Sequence, residues 1–317
     1  MAANTSNLDY ADRTRLIAVI GVLLLLVGIA VGFLGPLEMY CFYLFSDGGR
    51  FHYEGFGWGS FMFGNIASQI IGYYLIAALF IPLGYRHLKM RRWARTLSLT
   101  LLWSWLVVGA PLIVIVFFIL AGSKDLSLPV ALIALVFLVL SYLVFPGLLI
   151  RFYRGRNVRR TFETKDTKSC WVENLPMPIL VLSSLYLFYI VMLHILILFN
   201  GIFPALGVFV FGLQGILLLD ISIGCLMCLI WGTLRLRPWA WWGAVILLGL
   251  FTFSTILTFF RSSYSTILSG LAFPPREIEF LKGLPVQGYH FAVLAGIPLL
   301  ITWGVAILSK RHFRPGA

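Results

Sequence analysis

The amino-acid sequence predicts an all-α integral membrane protein, a bundle of eight transmembrane helices, on three observations. The first is composition: 60% of the residues are hydrophobic and only 11% charged, where a soluble domain carries about 25% charged residues, so lipid is the expected solvent. The second is that the apolar runs number eight, each about long enough to cross a hydrocarbon core of roughly 30 Å at 1.5 Å per helical residue. The third is that the basic residues alternate with those runs, crowding every second connection, which is the positive-inside pattern.

The first span, 16–34, follows Arg13 and Arg15 and superficially resembles a secretory signal. Its length, about 19 residues rather than 7 to 15, and its exit through Gly32-Phe33-Leu34-Gly35-Pro36 argue for a retained first helix. A long outside loop, 35–60, comes next. Its run Gly48-Gly49-Arg50-Phe51-His52-Tyr53-Glu54-Gly55-Phe56-Gly57-Trp58-Gly59 suits an ordered interfacial cap better than a flexible linker. Span 61–83 carries Asn65 and Gln69 one turn apart. Spans 97–120 and 130–150 follow, joined by a tight turn, and then a basic segment from Arg151 to Trp171.

In the second half, span 178–199 holds Tyr186, Tyr189 and His194, and span 207–231 holds Gln214 and Asp220. Span 242–260 has a stripe of Thr252, Thr255 and Thr258, continued by Ser262, at helical spacing. The second long outside loop, 261–290, contains Pro274-Pro275-Arg276-Glu277-Ile278-Glu279-Phe280-Leu281-Lys282-Gly283. Proline at a helix start, acids in the first turn, lysine at the end and a closing glycine predict a short amphipathic helix lying flat on the outer surface. Span 291–308 ends the bundle before Lys310, Arg311 and Arg314.

Cut this way, the chain is one membrane domain, 1–317, with both termini cytoplasmic. Of its 24 Lys and Arg residues, only Arg50, Lys124, Arg261, Arg276 and Lys282 fall outside. Adding or losing one span would scramble that alternation. The short loops Gly84 to Ala94 and Gly232 to Ala240 both join an even span to the next odd one and both end in Trp-Ala, which suggests a 4+4 parallel repeat related by an axis along the membrane normal. The net charge of +12 would suggest nucleic acid in a soluble protein. Here it sits in short juxtamembrane segments, so nucleic-acid binding is excluded. The sequon Asn4-Thr5-Ser6 would be cytosolic and unused, which fits a bacterial plasma membrane.

Candidate chemistry is sparse. Asp220 is the one carboxylate within a predicted span, and the cost of a charge in hydrocarbon predicts that it faces the bundle, protonated or hydrogen-bonded. Either it is structural, or it serves as a proton relay or substrate contact. Gly224, one turn on, would let a neighbouring helix approach. Asn65, Gln69, His194, Gln214, Thr252 and Thr255 lie toward the outer half and could line a vestibule floored by Asp220. Equally, they could tie helices together by hydrogen bonds. Cys225-Leu226-Met227-Cys228 has CxxC spacing without a second ligand pair, and reads as two small apolar side chains packing in a helix. Cys41 and Cys170 fall on opposite sides of the membrane and cannot pair.

No HxxxH, HExxH, G-x-S-x-G or nucleotide motif occurs, so no metal or other cofactor is expected. Arg154, Arg156, Arg159 and Arg160 are expected to contact anionic lipid head groups on the cytoplasmic side. Two function classes remain. One is a non-enzymatic membrane protein, either transporter-like for a small or lipid-related solute or a subunit or scaffold bound to a membrane protein partner. The other is an intramembrane enzyme acting on a lipid-linked substrate from the outer face, with Asp220 or His194 as acid or base.

Overall fold

The computed structural model describes residues 10–46, 48–122, 127–271, 273–284 and 286–313. Asp47, Lys124, Asp125, Arg314 and the sequon at Asn4 lie outside them. Eight helices are long and apolar enough to cross a membrane, and the chain is an all-α multi-pass membrane protein. The first three crossings are α1 (Thr14–Phe45), α2 (Phe61–Leu88) and α3 (Arg92–Gly122). The fourth is built of α4 (Leu128–Val139), a π turn over Leu140–Val144 and α5 (Phe145–Arg154). That π turn directly precedes Pro146, whose ring and missing N–H disturb the ladder of the preceding turn; the Phe145 N–H reaches back to the Leu140 carbonyl. After α6 (Arg156–Lys165) come α7 (Met177–Leu198), a hairpin of β1 (Phe203–Ala205) and β2 (Val208–Val210), α8 (Gly212–Leu234) and α9 (Pro238–Arg261). The short helices α10 (Tyr264–Gly270) and α11 (Pro275–Lys282) then lead into α12 (Gly288–Leu308).

An even number of crossings leaves the described first and last residues at one end of the bundle, here the termini end; the other is the loop end. Glycines set the closest helix pair. A Cβ on Gly84 would lie 2.7 Å from the Gly21 carbonyl oxygen, and one on Gly28 would lie 3.0 Å from the Ile81 nitrogen. Gly21, Gly28 and Gly35 recur every seventh residue on the buried side of α1, so α1 and α2 meet backbone to backbone. The helix α7, apolar all round, is the most enclosed span, whereas α4 has no buried residue. Leu182, Tyr186 and Ile190 of α7 pack with Ile223, Leu226 and Leu229 of α8, Ala244 and Leu248 of α9, and Leu299 and Ala306 of α12. Most of this core is aliphatic, but the buried hydroxyls of Ser183, Tyr186 and Thr233 on α7 and α8 have no hydrogen-bond partner among the described residues.

Two expected boundaries differ, and one expected helix is found where it was placed. The loop expected at 35–60 begins only at Ser46, because α1 runs through Pro36. Lipid-buried helices tolerate proline when neighbours compensate the lost bond. The sixth span, expected from 207, starts at Gly212, and the preceding apolar stretch is the hairpin, with Phe203 paired to Val210 and Ala205 to Val208. Positive φ at Asn200, Gly201, Leu206, Gly207 and Gly212 breaks any helix there. The amphipathic helix expected at 274–283 is α11, with Glu277 and Leu281 buried and Phe280 exposed.

The two loops that suggested an internal repeat share backbone detail. Lys89 and Arg235 cap their helices through the carbonyls of Tyr85 and Trp231. Met90 and Leu236 follow with φ of 49° and 54°, and the Arg91 and Arg237 N–H groups close onto Arg86 and Gly232. Each loop ends in the same turn, Ala94 onto Arg91 and Ala240 onto Arg237.

Candidate functional site: an unpaired polar face on α8

Most intramembrane polar groups have a local structural task. His87, fully buried near the end of α2, donates its Nδ1–H to the Leu83 carbonyl at 2.8 Å. Its Nε2 is therefore the acceptor of the Tyr153 hydroxyl at 2.8 Å, with Ser98 Oγ at 3.4 Å. The Arg95 Nε–H donates to the Tyr153 carbonyl at 2.8 Å, tying α3 to the same cluster. On α9, Ser254 Oγ donates to the Pro204 carbonyl and accepts from the Leu206 N–H, while Thr258 Oγ1 accepts from the Gly207 N–H. The polar stripe of this span thus satisfies the backbone of the hairpin, whose N–H and C=O groups would otherwise be costly to bury. Thr252 and Thr255 are buried in it, and Thr252 bonds back to the Leu248 carbonyl.

The remaining predicted site residues do not converge. Asn65 and Gln69 are half-buried on α2, where Gln69 accepts from Tyr73 at 3.4 Å and the Asn65 carbonyl accepts from Ser68. His194 donates from Nδ1 to the Ile190 carbonyl at 2.7 Å. Gln214 is exposed. Tyr189, a candidate donor for Asp220, instead meets Thr302 at 2.7 Å. No vestibule floored by Asp220 forms.

The expected direction of Asp220 is overturned. The packed side of α8 runs through Gly215, Leu219, Ser222, Leu226, Leu229 and Thr233. Asp220 is on the other side, exposed, and makes no hydrogen bond or ion pair among the described residues. It shares that side with Leu213, Leu217, Met227 and Trp231, all more than half exposed. Between them lies Gly224, whose Cβ would meet nothing within 4 Å. These residues are spaced four, three, four, three and four apart, the repeat of a helix face that seats another helix. Cys225 and Cys228 are exposed on the flank of that face, so the expectation that they pack inside is corrected too. At about 12 Å below the first residue of α8, the carboxyl group sits well inside the apolar span. Leaving it against lipid costs about 2.5–3.5 kcal/mol on insertion scales. The cost of a charge in lipid predicts a partner for this group, and the chain supplies none among its described residues.

At the termini end, Arg154, Arg156, Arg159 and Arg160 are all exposed on α5 and α6, and Arg159 is paired with Glu163 at 2.7 Å. A cavity of about 190 Å³ lies beside them, where Arg92, 3.0 Å from Glu173, and Arg95 line it with Arg159. Asp166, buried at the end of α6, accepts from the Arg92 and Lys168 N–H groups and from Arg91. Burial alone would raise its pKa, but these donors outweigh it and hold the carboxyl below the usual aspartate value.

At the loop end, the two long connections join. Glu277 of α11 accepts from the Phe61 and Met62 N–H groups at 2.7 and 3.0 Å, capping α2 from across the fold. Burial and the nearby Glu277 charge push the Tyr53 phenol above its ordinary pKa. A surface pocket of about 580 Å³ opens between Glu54, Trp58, Phe273 and Arg276. In the sequence Glu277 is a first-turn acid and His87 one of a run of basic residues, and no local signal ties either to a partner 216 or 66 residues away. Among the described residues, no three His, Cys, Asp or Glu side chains converge as a metal site would require. Compared with protein-family models, curated proteins and solved structures, the chain matches none, and its functional reading rests on its own residues.

Proposed function

We propose that this chain is a non-enzymatic subunit of a membrane complex and that the outward face of α8 is where it assembles. One observation carries the reading: Asp220, a carboxylate midway along α8, is exposed with no partner among the described residues. A group that costs stability in lipid is tolerated where another protein covers it. The buried, mostly aliphatic side chains between α7, α8, α9 and α12 support this reading over a solute pathway through the bundle. The crowding of Arg and Lys at the termini end supports a cytoplasmic position for both ends, in a bacterial plasma membrane, with Arg154, Arg156 and Arg160 free to meet anionic head groups.

The test is cross-linking in native membranes from Cys225 and Cys228, labelled with a maleimide that carries a photoreactive benzophenone able to insert into any neighbouring C–H bond, followed by purification in mild detergent. A stoichiometric membrane protein joined to α8 is the expected result. A chain that stays single under every mild extraction would remove the subunit reading. Terminal tags labelled only after permeabilisation would support the orientation, and labelling of intact cells would reverse it.

The pocket at the loop end favours a second reading, an enzyme acting on a lipid-linked substrate. Glu54 is a carboxylate at its edge and Trp58 a flat apolar wall. Asp220 faces away from the bundle and cannot serve as its acid or base. Turnover lost on Glu54→Gln, with the α8 cross-link unaffected, would establish that reading.

A further inference from the structure

We infer that the occupant of the α8 face is a transmembrane helix of a different polypeptide, carrying a lysine or arginine at the depth of Asp220. This rests on the reading of the chain as a complex subunit and names the chemistry of its partner. The argument is one of charge complementarity. An ionised carboxylate in hydrocarbon is best neutralised by a cation that also donates hydrogen bonds. A basic side chain in the middle of a lone transmembrane helix has the same difficulty, so each group answers the other.

A second copy of this chain does not supply that cation. Among the described residues, every Lys and Arg lies at the ends of the spans or beyond them. Two copies meeting through α8 about a two-fold axis would set Asp220 against Asp220. The surroundings fit an incoming helix. Gly224, one turn from the carboxyl group and with open space where its Cβ would be, leaves a notch in which a neighbouring backbone can approach. Leu213 and Leu217 on one side, and Met227 and Trp231 on the other, supply apolar contact along the rest of the face. The arrangement matches a helix pair with one buried ion pair that fixes register.

The test combines photo-cross-linking from Cys225 and Cys228 with charge exchange, in the full chain expressed in its native membrane. The expected result is one identified partner with a Lys or Arg inside a transmembrane segment. Capture should fall roughly tenfold or more in both Asp220→Asn and Asp220→Leu. It should return when Asp220→Lys is combined with replacement of the partner's basic residue by aspartate. The yield of Asp220→Leu after extraction serves as the folding control and should equal or exceed that of the parent chain. A partner captured equally by all variants, or one lacking an intramembrane basic residue, would overturn the ion pair and leave the subunit reading standing. Cross-links only between copies of this chain would overturn the heterologous partner. No cross-link at all would sink both.

Discussion

His87 and Asp220 are both ionisable groups placed by transmembrane helices, and they are treated in opposite ways. His87 is fully buried and both ring nitrogens are engaged, one donating to Leu83 and the other accepting from Tyr153. Asp220 is exposed and has no partner among the described residues. The first arrangement is what a helix bundle does with a polar group it needs for its own architecture, since a buried polar group is stable only when satisfied. The second leaves a carboxyl group unsatisfied on the side that faces away from the fold. The contrast teaches that intramembrane polarity by itself does not mark a site; polarity that the fold leaves unanswered does.

The hardest way to break the comparison is to remove the answered group. His87→Ala would leave a cavity and strand the buried Tyr153 hydroxyl, so the chain should lose about 3–5 kcal/mol of stability, read from unfolding in detergent micelles. Substitution of the unanswered group should have the opposite sign. Asp220→Leu should stabilise the isolated chain by up to about 2.5–3.5 kcal/mol, measured in the same assay. A destabilised Asp220→Leu would mean that the carboxyl group serves the fold after all. Tyr153→Phe is gentler. It deprives His87 Nε2 of its donor at 2.8 Å and leaves Ser98 at 3.4 Å as the nearest replacement, and should cost about 1–2 kcal/mol.

These outcomes bear on what the sequence could and could not convey. Eight spans are legible because each is a local property, a run of apolar residues as long as a bilayer is thick. The likeness of the loops at Trp93 and Trp239 is local too, and it extends to the positive φ at Met90 and Leu236. The hairpin at 203–210 is not legible, because a short apolar run reads equally as helix or strand; its fate is decided by Ser254 and Thr258 some 50 residues away. The direction of Asp220 is lost for another reason. Composition gives the cost of a charge in lipid, while the facing of a helix depends on which side carries the buried residues Gly215, Leu219, Ser222 and Leu226. Gly21, Gly28 and Gly35 form a heptad of small residues; only their closeness to α2, at Gly84, Ile81 and Tyr74 respectively, gives that pattern meaning.

A second carboxylate sharpens the comparison from outside the membrane. Asp166 is buried like His87 and acidic like Asp220, yet it is fully answered by the N–H groups of Arg92 and Lys168 and by Arg91 at 3.1 Å. Burial works against its ionised form, and the donors prevail, so its folded pKa lies below the ordinary value. The sign follows from linkage: a carboxyl whose folded pKa is depressed contributes stability at every pH above the unfolded value, about 3.9, and loses it as pH falls through that value toward the folded one. Arg91 is 40% exposed, and solvent screening limits the contribution to about 1 kcal/mol or less. Unfolding midpoints measured from pH 7 to pH 3 should therefore fall at the acid end in the parent chain. Asp166→Asn should flatten that fall while lowering the midpoint at neutral pH. If the acid loss persisted in Asp166→Asn, the tie between α6 and the start of α3 would contribute nothing that protons can remove.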